Sequence, residues 1–483
     1  MKKSEKKKNK KLNLFYKIIS FLILIITVFT AGVVIYFEIL PIMYLILFLL
    51  ILALICFVFI FLLTKNNLRL WVKNIVLVIS LLFILGLVFV NSYAMGTLDF
   101  LNNIIDTGYR SETYSLYALP ETYNDVSDLN NKTIGLYNLN DDSGKKAIEK
   151  ISNKISFNAS TYEDLQELVN DLYEEKIDAI LMSESYMEIL IEQDSKYSDL
   201  KSIFSFDILV KQEVIDANVD ITKEPFIVYI SGIDTNGKIS AKSRSDVNIL
   251  VAVNPNTGKI LMLNTPRDYY VTLHSKGKKD KLTHAGMYGV EESLMTLEDL
   301  YNIDISYYVR VNFTSFITIV DKLGGISVDV PLNFCEQTSS RTSDAKICLK
   351  KGVQTLNGEQ ALALSRTRHT VSGGDRGRIA NQLLVLNGIF DKAMSPSIIV
   401  KYNNLLNALG SYVTTNMDKD TIIDFVKDYI KDPINFEIEH LTVTGTDASN
   451  TCFSSGSANL YVMNIDEESV NNAKLALKTL LEG

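Results

Sequence analysis

The stretch Phe226–Asp268, FIVYISGIDTNGKISAKSRSDVNILVAVNPNTGKILMLNTPRD, decides the fold. It holds three apolar runs of strand length, at 226–231, 247–253 and 259–264, parted by segments rich in Gly, Asn, Ser and charge. Further strands are expected at 306–312 and at 326–330, beyond Gly324-Gly325. Helices are expected at 284–301, 314–323, 357–365 and 376–394. Strands alternating with helices predict an α/β fold with a mixed central sheet flanked by helices. Such sheets place ligands in the loops at strand ends. Four polar clusters fall in those loops: Gly232–Asp234, Ser243–Asp246, Thr265–Asp268, and Ser365–Arg368 followed by Asp375–Arg378 and Gln382.

Upstream, the composition changes. The mean hydropathy of the 483 residues is positive, and 47% are hydrophobic. Ile18–Phe37, Ile39–Leu63 and Asn74–Met95 contain no Asp, Glu, Lys or Arg over 20, 25 and 22 residues. A bilayer core needs about 20 helical residues, so each run is long enough to span. Eight Lys precede the first run, and Lys65, Arg69 and Lys73 lie between the second and third, whereas the first turn holds only Glu38. The positive-inside rule then puts residues 1–17 in the cytoplasm, 18–95 in the membrane and 96–483 outside. No small-residue cleavage site follows the first run, so it reads as an anchor. Of 48 basic and 56 acidic residues, 11 and 2 lie in 1–95. That leaves 37 basic and 54 acidic residues outside, a net of −17. Such a surface argues against nucleic acid as a partner, and any anionic ligand must meet a local cluster of Arg or a metal.

The outer chain divides near 216–224. Residues 96–222 read as a small accessory α/β domain: a strand at 133–137, helices at 143–155 and 162–176, a strand at 178–181 and a helix from Ser185. Their order is weakly similar to one lobe of a solute-binding protein. Asp142–Lys145 has part of a phosphate-loop pattern but lacks its earlier Gly, and reads as a turn. Residues 223–483 carry the four clusters. Arg366 and Arg368 share a direction only if the chain is extended there. Asp375 reads as a helix N-cap that stacks Arg378 and Gln382 at i and i+4, near a helix end that attracts anions. Together these donors suit a pyrophosphate. Asp234 and Asp246 read either as salt-bridge partners or as ligands holding Mg²⁺ against phosphates. Cys335 and Cys348 flank a polar loop and could form a disulfide or stay as thiols, while Cys56 lies in the second span and Cys452 is left over.

SGIDTNGKISAKSRSDVNILVAVN, NTPRDYYV, KDKLTHAGMYGV, YYVRVNFTSFITIVDKLGGISV, LNGEQALALSRTR and GDRGRIANQ occur in that order between 231 and 382. They resemble the LytR–CpsA–Psr family of cell-wall ligases, in its capsule-associated branch. The three spans and the accessory domain look like that branch too. The resemblance implies a membrane-bound phosphotransferase. It would take an anionic glycan, capsular or teichoic-acid-like, from a polyprenyl-pyrophosphate carrier. It would join that glycan by a phosphodiester to the 6-hydroxyl of N-acetylmuramic acid in peptidoglycan. The same resemblance assigns Asp234 and Asp246 to magnesium. It assigns Arg244, Asp246, Arg267, Arg366 and Arg368 to catalysis, and Arg244, Arg267, Arg366, Arg368, Asp375, Arg378 and Gln382 to the pyrophosphate lipid. The alternative is a non-enzymatic sensor or assembly factor for capsule synthesis. A transcriptional regulator would lack a cytoplasmic domain large enough to read DNA.

Overall fold

The computed structural model describes residues 2–483 except 38–39, 66, 213, 216, 218, 234–240, 339–345, 368–374, 394–405, 407–409, 411–412, 433 and 435. Two units result. One holds helices α1 (Lys2–Phe37), α2 (Ile42–Thr64) and α3 (Leu70–Ile104) together with α12 (Lys419–Lys431). The other holds every strand and the remaining helices.

In the first unit, α1, α2 and α3 are long and apolar enough to cross a membrane. Polar clasps join α1 to α3: Asn91 donates to Thr30 Oγ1 at 2.8 Å, and the Tyr16 hydroxyl donates to Asn74 at 2.9 Å. Large apolar side chains such as Leu50, Leu54, Phe57 and Leu85 point outward, the arrangement lipid requires.

The second unit contains two sheets. The first has the order β3-β2-β4-β1-β5. Its strands are β1 (Tyr109–Ala118), β2 (Thr133–Tyr137), β3 (Asn158–Tyr162), β4 (Ala179–Ser183) and β5 (Lys201–Lys211). Between them lie α4 (Asp142–Ser152), α5 (Leu165–Tyr173) and α6 (Glu184–Gln193). The turn expected at Asp142–Lys145 is instead the first turn of α4, because Asp141 caps it by accepting from Gly144 N at 2.8 Å. Strands β1, β3 and β5 were not expected: β3 is short and polar, and β1 and β5 are rich in Ser.

The second sheet is built on β6 (Phe226–Ile233), β7 (Ser245–Asn254) and β8 (Lys259–Asn264). A ribbon of β9 (Tyr270–Thr272) and β10 (Lys279–Lys281) follows, then α7 (Leu282–Ala285), α8 (Val290–Tyr301), β11 (Tyr307–Asn312) and α9 (Phe313–Leu323). Small ribbons pair β12 (Ile326–Val330) with β15 (Gly352–Leu356) and β13 (Phe334–Gln337) with β14 (Lys346–Leu349). Cys335 and Cys348, opposite each other in the second ribbon, form a disulfide. After them come α10 (Gly358–Arg366), α11 (Asp375–Ala393), β16 (Val413–Thr415), β17 (Glu437–Thr442), β18 (Gly445–Thr451), β19 (Asn459–Ile465) and α13 (Glu467–Glu482).

The sheet order is β16-β11-β6-β7-β8-β17. Strand β7 runs antiparallel to β6 and β8, while β11 is parallel to β6, and β17 to β8. It is a mixed sheet with flanking helices, as expected. Helices α8 and α13 bury Leu294, Leu297, Val470 and Leu477 with Tyr229, Leu250 and Leu263 of the strands. The helix expected at 284–301 breaks at Gly289, whose φ of 124° is open to glycine and strained for other residues. The strand directions put the ends of β6 and β8 and the start of β7 on one edge of the sheet.

The first sheet's helices share a core with the separate β18–β19 ribbon. Leu165, Leu168, Tyr186, Ile189 and Leu190 of α5 and α6 pack with Leu460 and Val462 of β19, with Cys452, and with Met287 of the turn before α8.

Candidate functional site

The site grows from that edge. Arg244 precedes β7, Asp246 is its second residue, and Arg267 and Asp268 follow β8. The ribbon β9–β10 folds back so that Lys281 pairs with Tyr270. Thr283 N then donates to Arg267 O at 2.8 Å, and Leu282 N to Tyr269 O at 2.9 Å. The two ends of the β9–β10 hairpin are thus stitched side by side. Gly286 lies so close beneath the Ser243–Ser245 backbone that a Cβ would sit 2.5 Å from Ser243 O. A side chain there would push Arg244 out of place.

Arg267 Nη1 donates to both Asp246 oxygens at 2.9 Å, and Thr283 Oγ1 donates to one of them at 3.1 Å. Arg267 Nε lies 3.4 Å from Asp268. Arg244 Nε is 2.7 Å from Glu188 and its Nη1 is 3.5 Å from Glu192, both on α6. Lys281, whose side chain is 0% exposed, pairs with Glu192 and lies 3.5 Å from Asp268. The Asp246 carboxylate foremost raises the Arg267 pKa above its ordinary value, against burial. Burial works against Arg244 as well, but Glu188 and Asp246 outweigh it and raise its pKa too. Both guanidiniums therefore stay charged over any physiological range.

Arg366 and Gln382 form a second group. Asn357 caps α10 in a reciprocal box with Gln360, and Arg366 closes that helix, its Nη1 3.5 Å from Thr338 O. The extended chain expected at Arg366 begins only at Thr367, because Arg366 completes the last helical turn. Gln382 on α11 reaches Ser365 O at 3.4 Å. Helix α11 begins at Asp375, and Arg378 lies in its first turn, but their side chains fall outside the described residues, as do Asp234 and Arg368 entirely.

Of the two carboxylates assigned to magnesium, the structure describes Asp246 alone, with its charge engaged by Arg267. Among the described residues, no group of three or more His, Cys, Asp or Glu is placed to hold a metal ion. The sequence reading missed Lys281, Glu188 and Glu192. Lys281 sits inside one of the quoted motifs, but Lys276, Lys278 and Lys279 stand just before it and nothing in the sequence sets it apart from them. The two glutamates look like an ordinary solvent face, and only the fold reveals their partners.

This end of the sheet gathers the buried Arg244 and Lys281 and the half-buried Arg267 with Asp246 and Asp268. The LytR_cpsA_psr family matches residues 192–479. The chain belongs to that family. An uncharacterized Staphylococcus aureus protein is 35% identical over 233 residues, 47% of this chain and 56% of its own length. The polyisoprenyl-teichoic acid–peptidoglycan teichoic acid transferase TagU of Bacillus subtilis is 32% identical over 274 residues, 56% of this chain and 83% of its own. The crystal structure of B. subtilis TagV is 32% identical, covers 54% of this chain and 98% of that one, and superposes with a TM-score of 0.44. The chain thus spans between about half and four fifths of the curated relatives' length.

Proposed function

We propose that this protein transfers an anionic glycan, capsular or teichoic-acid-like, from a polyprenyl-pyrophosphate carrier to peptidoglycan on the outer side of the cell membrane. The reading also carries the N-terminus in the cytoplasm and the 6-hydroxyl of N-acetylmuramic acid as acceptor. The observation that carries it is the cluster of Arg244, Arg267 and Lys281 at one sheet edge, cations that burial would disfavour without anionic partners. In the transfer, the acceptor oxygen forms a bond to the phosphorus that bears the glycan. The bond from that phosphorus to the bridging oxygen breaks, polyprenyl monophosphate leaves, and the hydroxyl proton goes to solvent. Arg244 and Arg267 meet the charge on the phosphoryl oxygens, with Arg366, Arg368, Arg378 and Gln382 joining them on the carrier lipid. Asp375 supports that group. Asp246 and Asp234 offer oxygen ligands of the kind Mg²⁺ takes, and the ion would polarise the phosphoryl groups.

The test is transfer of a lipid-pyrophosphate-linked glycan to peptidoglycan oligomers by the purified full-length protein. Asp246→Asn keeps the shape and removes the charge, and should abolish magnesium-dependent turnover while the protein stays folded. Unchanged turnover in that variant, with or without chelator, would leave Asp246 as a salt-bridge partner only. No phosphodiester product from the parent protein would remove the transferase reading.

A further inference from the structure

Helix α6 belongs to the first sheet, yet it delivers two carboxylates to the site of the second. Its sequence divides cleanly: Tyr186, Met187, Ile189 and Leu190 are buried in the shared core, and Glu188 and Glu192, at i and i+4, face Arg244 and Lys281. Without α6, the site sets Arg244, Arg267 and Lys281 against Asp246 and Asp268, three cations to two anions. With α6 the balance among these described side chains is three to four, so the three cations are already matched by carboxylates before an anion arrives.

We propose that Glu188 and Glu192 are specificity-determining residues of the pyrophosphate site, an internal counter-anion that two linked phosphoryl groups displace and one does not. The inference rests on the transferase reading above. Exposure decides which partners move. The Glu188 and Glu192 side chains are 34% and 28% exposed and can swing into water, whereas those of Arg244 and Lys281 are 9% and 0% exposed and have nowhere to go. The carboxylates are not needed to hold α6, because its apolar face is already locked in the core. A pyrophosphate replaces both carboxylates one for one. A monophosphate replaces one and leaves the other carboxylate standing against its charge, which is costly.

The experiment measures binding of geranylgeranyl pyrophosphate and geranylgeranyl monophosphate to the full-length protein in detergent. In Glu188→Gln/Glu192→Gln the monophosphate should bind about tenfold tighter, the pyrophosphate should gain less, and the preference between them should shrink. Glu188→Asp/Glu192→Asp should keep the parent's preference, which a purely structural role for the pair would not predict. Glu192→Gln alone leaves Glu188 on Arg244 and should show the same direction at smaller size, which serves if the double variant does not fold. An unchanged preference, or weaker binding of both lipids, would overturn the proposal while leaving the transferase reading intact. A parent protein that binds neither lipid would overturn both.

Discussion

Arg267 follows β8 at the sheet edge, and Arg310 lies within β11 of the same sheet, yet their surroundings are built on opposite terms. Arg267 meets Asp246 through two hydrogen bonds and Asp268 through a third contact, on the side where the loops open. Arg310 is 1% exposed, and its Nε and Nη2 have no hydrogen-bond partner. Burial, with Arg110 nearby, pulls its pKa down to about 10, and Glu291 only partly opposes this. Around it, Arg110 is tied to Asp106 at 2.8 Å and to Glu291, and Tyr308 donates to Asp106. The edge cluster spends its charges on groups a ligand can replace. The face cluster spends them on sealed partners that no ligand reaches. A buried arginine is thus informative about function only when its partners can be exchanged.

Substitutions at three positions test that contrast. The largest effect is expected at Arg267→Ala, which removes two charge-assisted bonds worth about 3–6 kcal/mol together and should lower the transfer rate more than a hundredfold. Arg267→Lys should recover little of it, because an ammonium cannot reproduce the forked geometry. Transfer close to the parent's in either variant would erase the distinction. Next is Glu291→Ala. It removes one of the two carboxylates on Arg110 and the charge that opposes burial at Arg310, and should cost about 3–5 kcal/mol of stability, read as an earlier denaturant midpoint, while transfer per folded molecule is kept. Loss of transfer at full stability would move the face cluster into the site. The smallest change is expected at Arg310→Met, where an apolar chain of similar length replaces a buried cation whose Nε and Nη2 have no hydrogen-bond partner among the described residues. Stability should stay the same or rise by about 1–4 kcal/mol, and a large drop would show that Arg310 serves a bond the static structure lacks.

The sequence made β8 and β12 readable to the residue, and β6, β7, β11, α9, α10 and α11 to within two residues at each end, since their apolar runs are clean and their ends are marked by Gly, Asn or Asp. The first sheet was harder. Strands β1 and β5 alternate Ser and Tyr or Phe without a long apolar run, and what identifies them is their pairing with each other across some ninety residues. Arg244, Asp246 and Arg267 were legible because they stand at strand ends in short polar motifs, and the fold brings them together. The sequence leaves Asp234 and Asp246 open between salt bridge and metal, and the structure pairs Asp246 with Arg267. Lys281 and the α6 glutamates were not legible as site residues, because their role depends on a ribbon register and on a helix that arrives from another sheet.

That arrival has a consequence for dissecting the protein. The core around Tyr186 and Leu190 is completed by Met287, Leu460 and Val462, from a turn and a ribbon that come after residue 223 in the chain, so neither half owns it. A fragment cut between the sheets at about residue 223 would present those apolar side chains to water and would also lose the partners of Arg244 and Lys281. The catalytic half would then be sticky and over-charged in the positive sense, and its behaviour in solution would report the wound rather than the enzyme. The accessory sheet is, in this respect, part of the wall of the site and not an appendage to it.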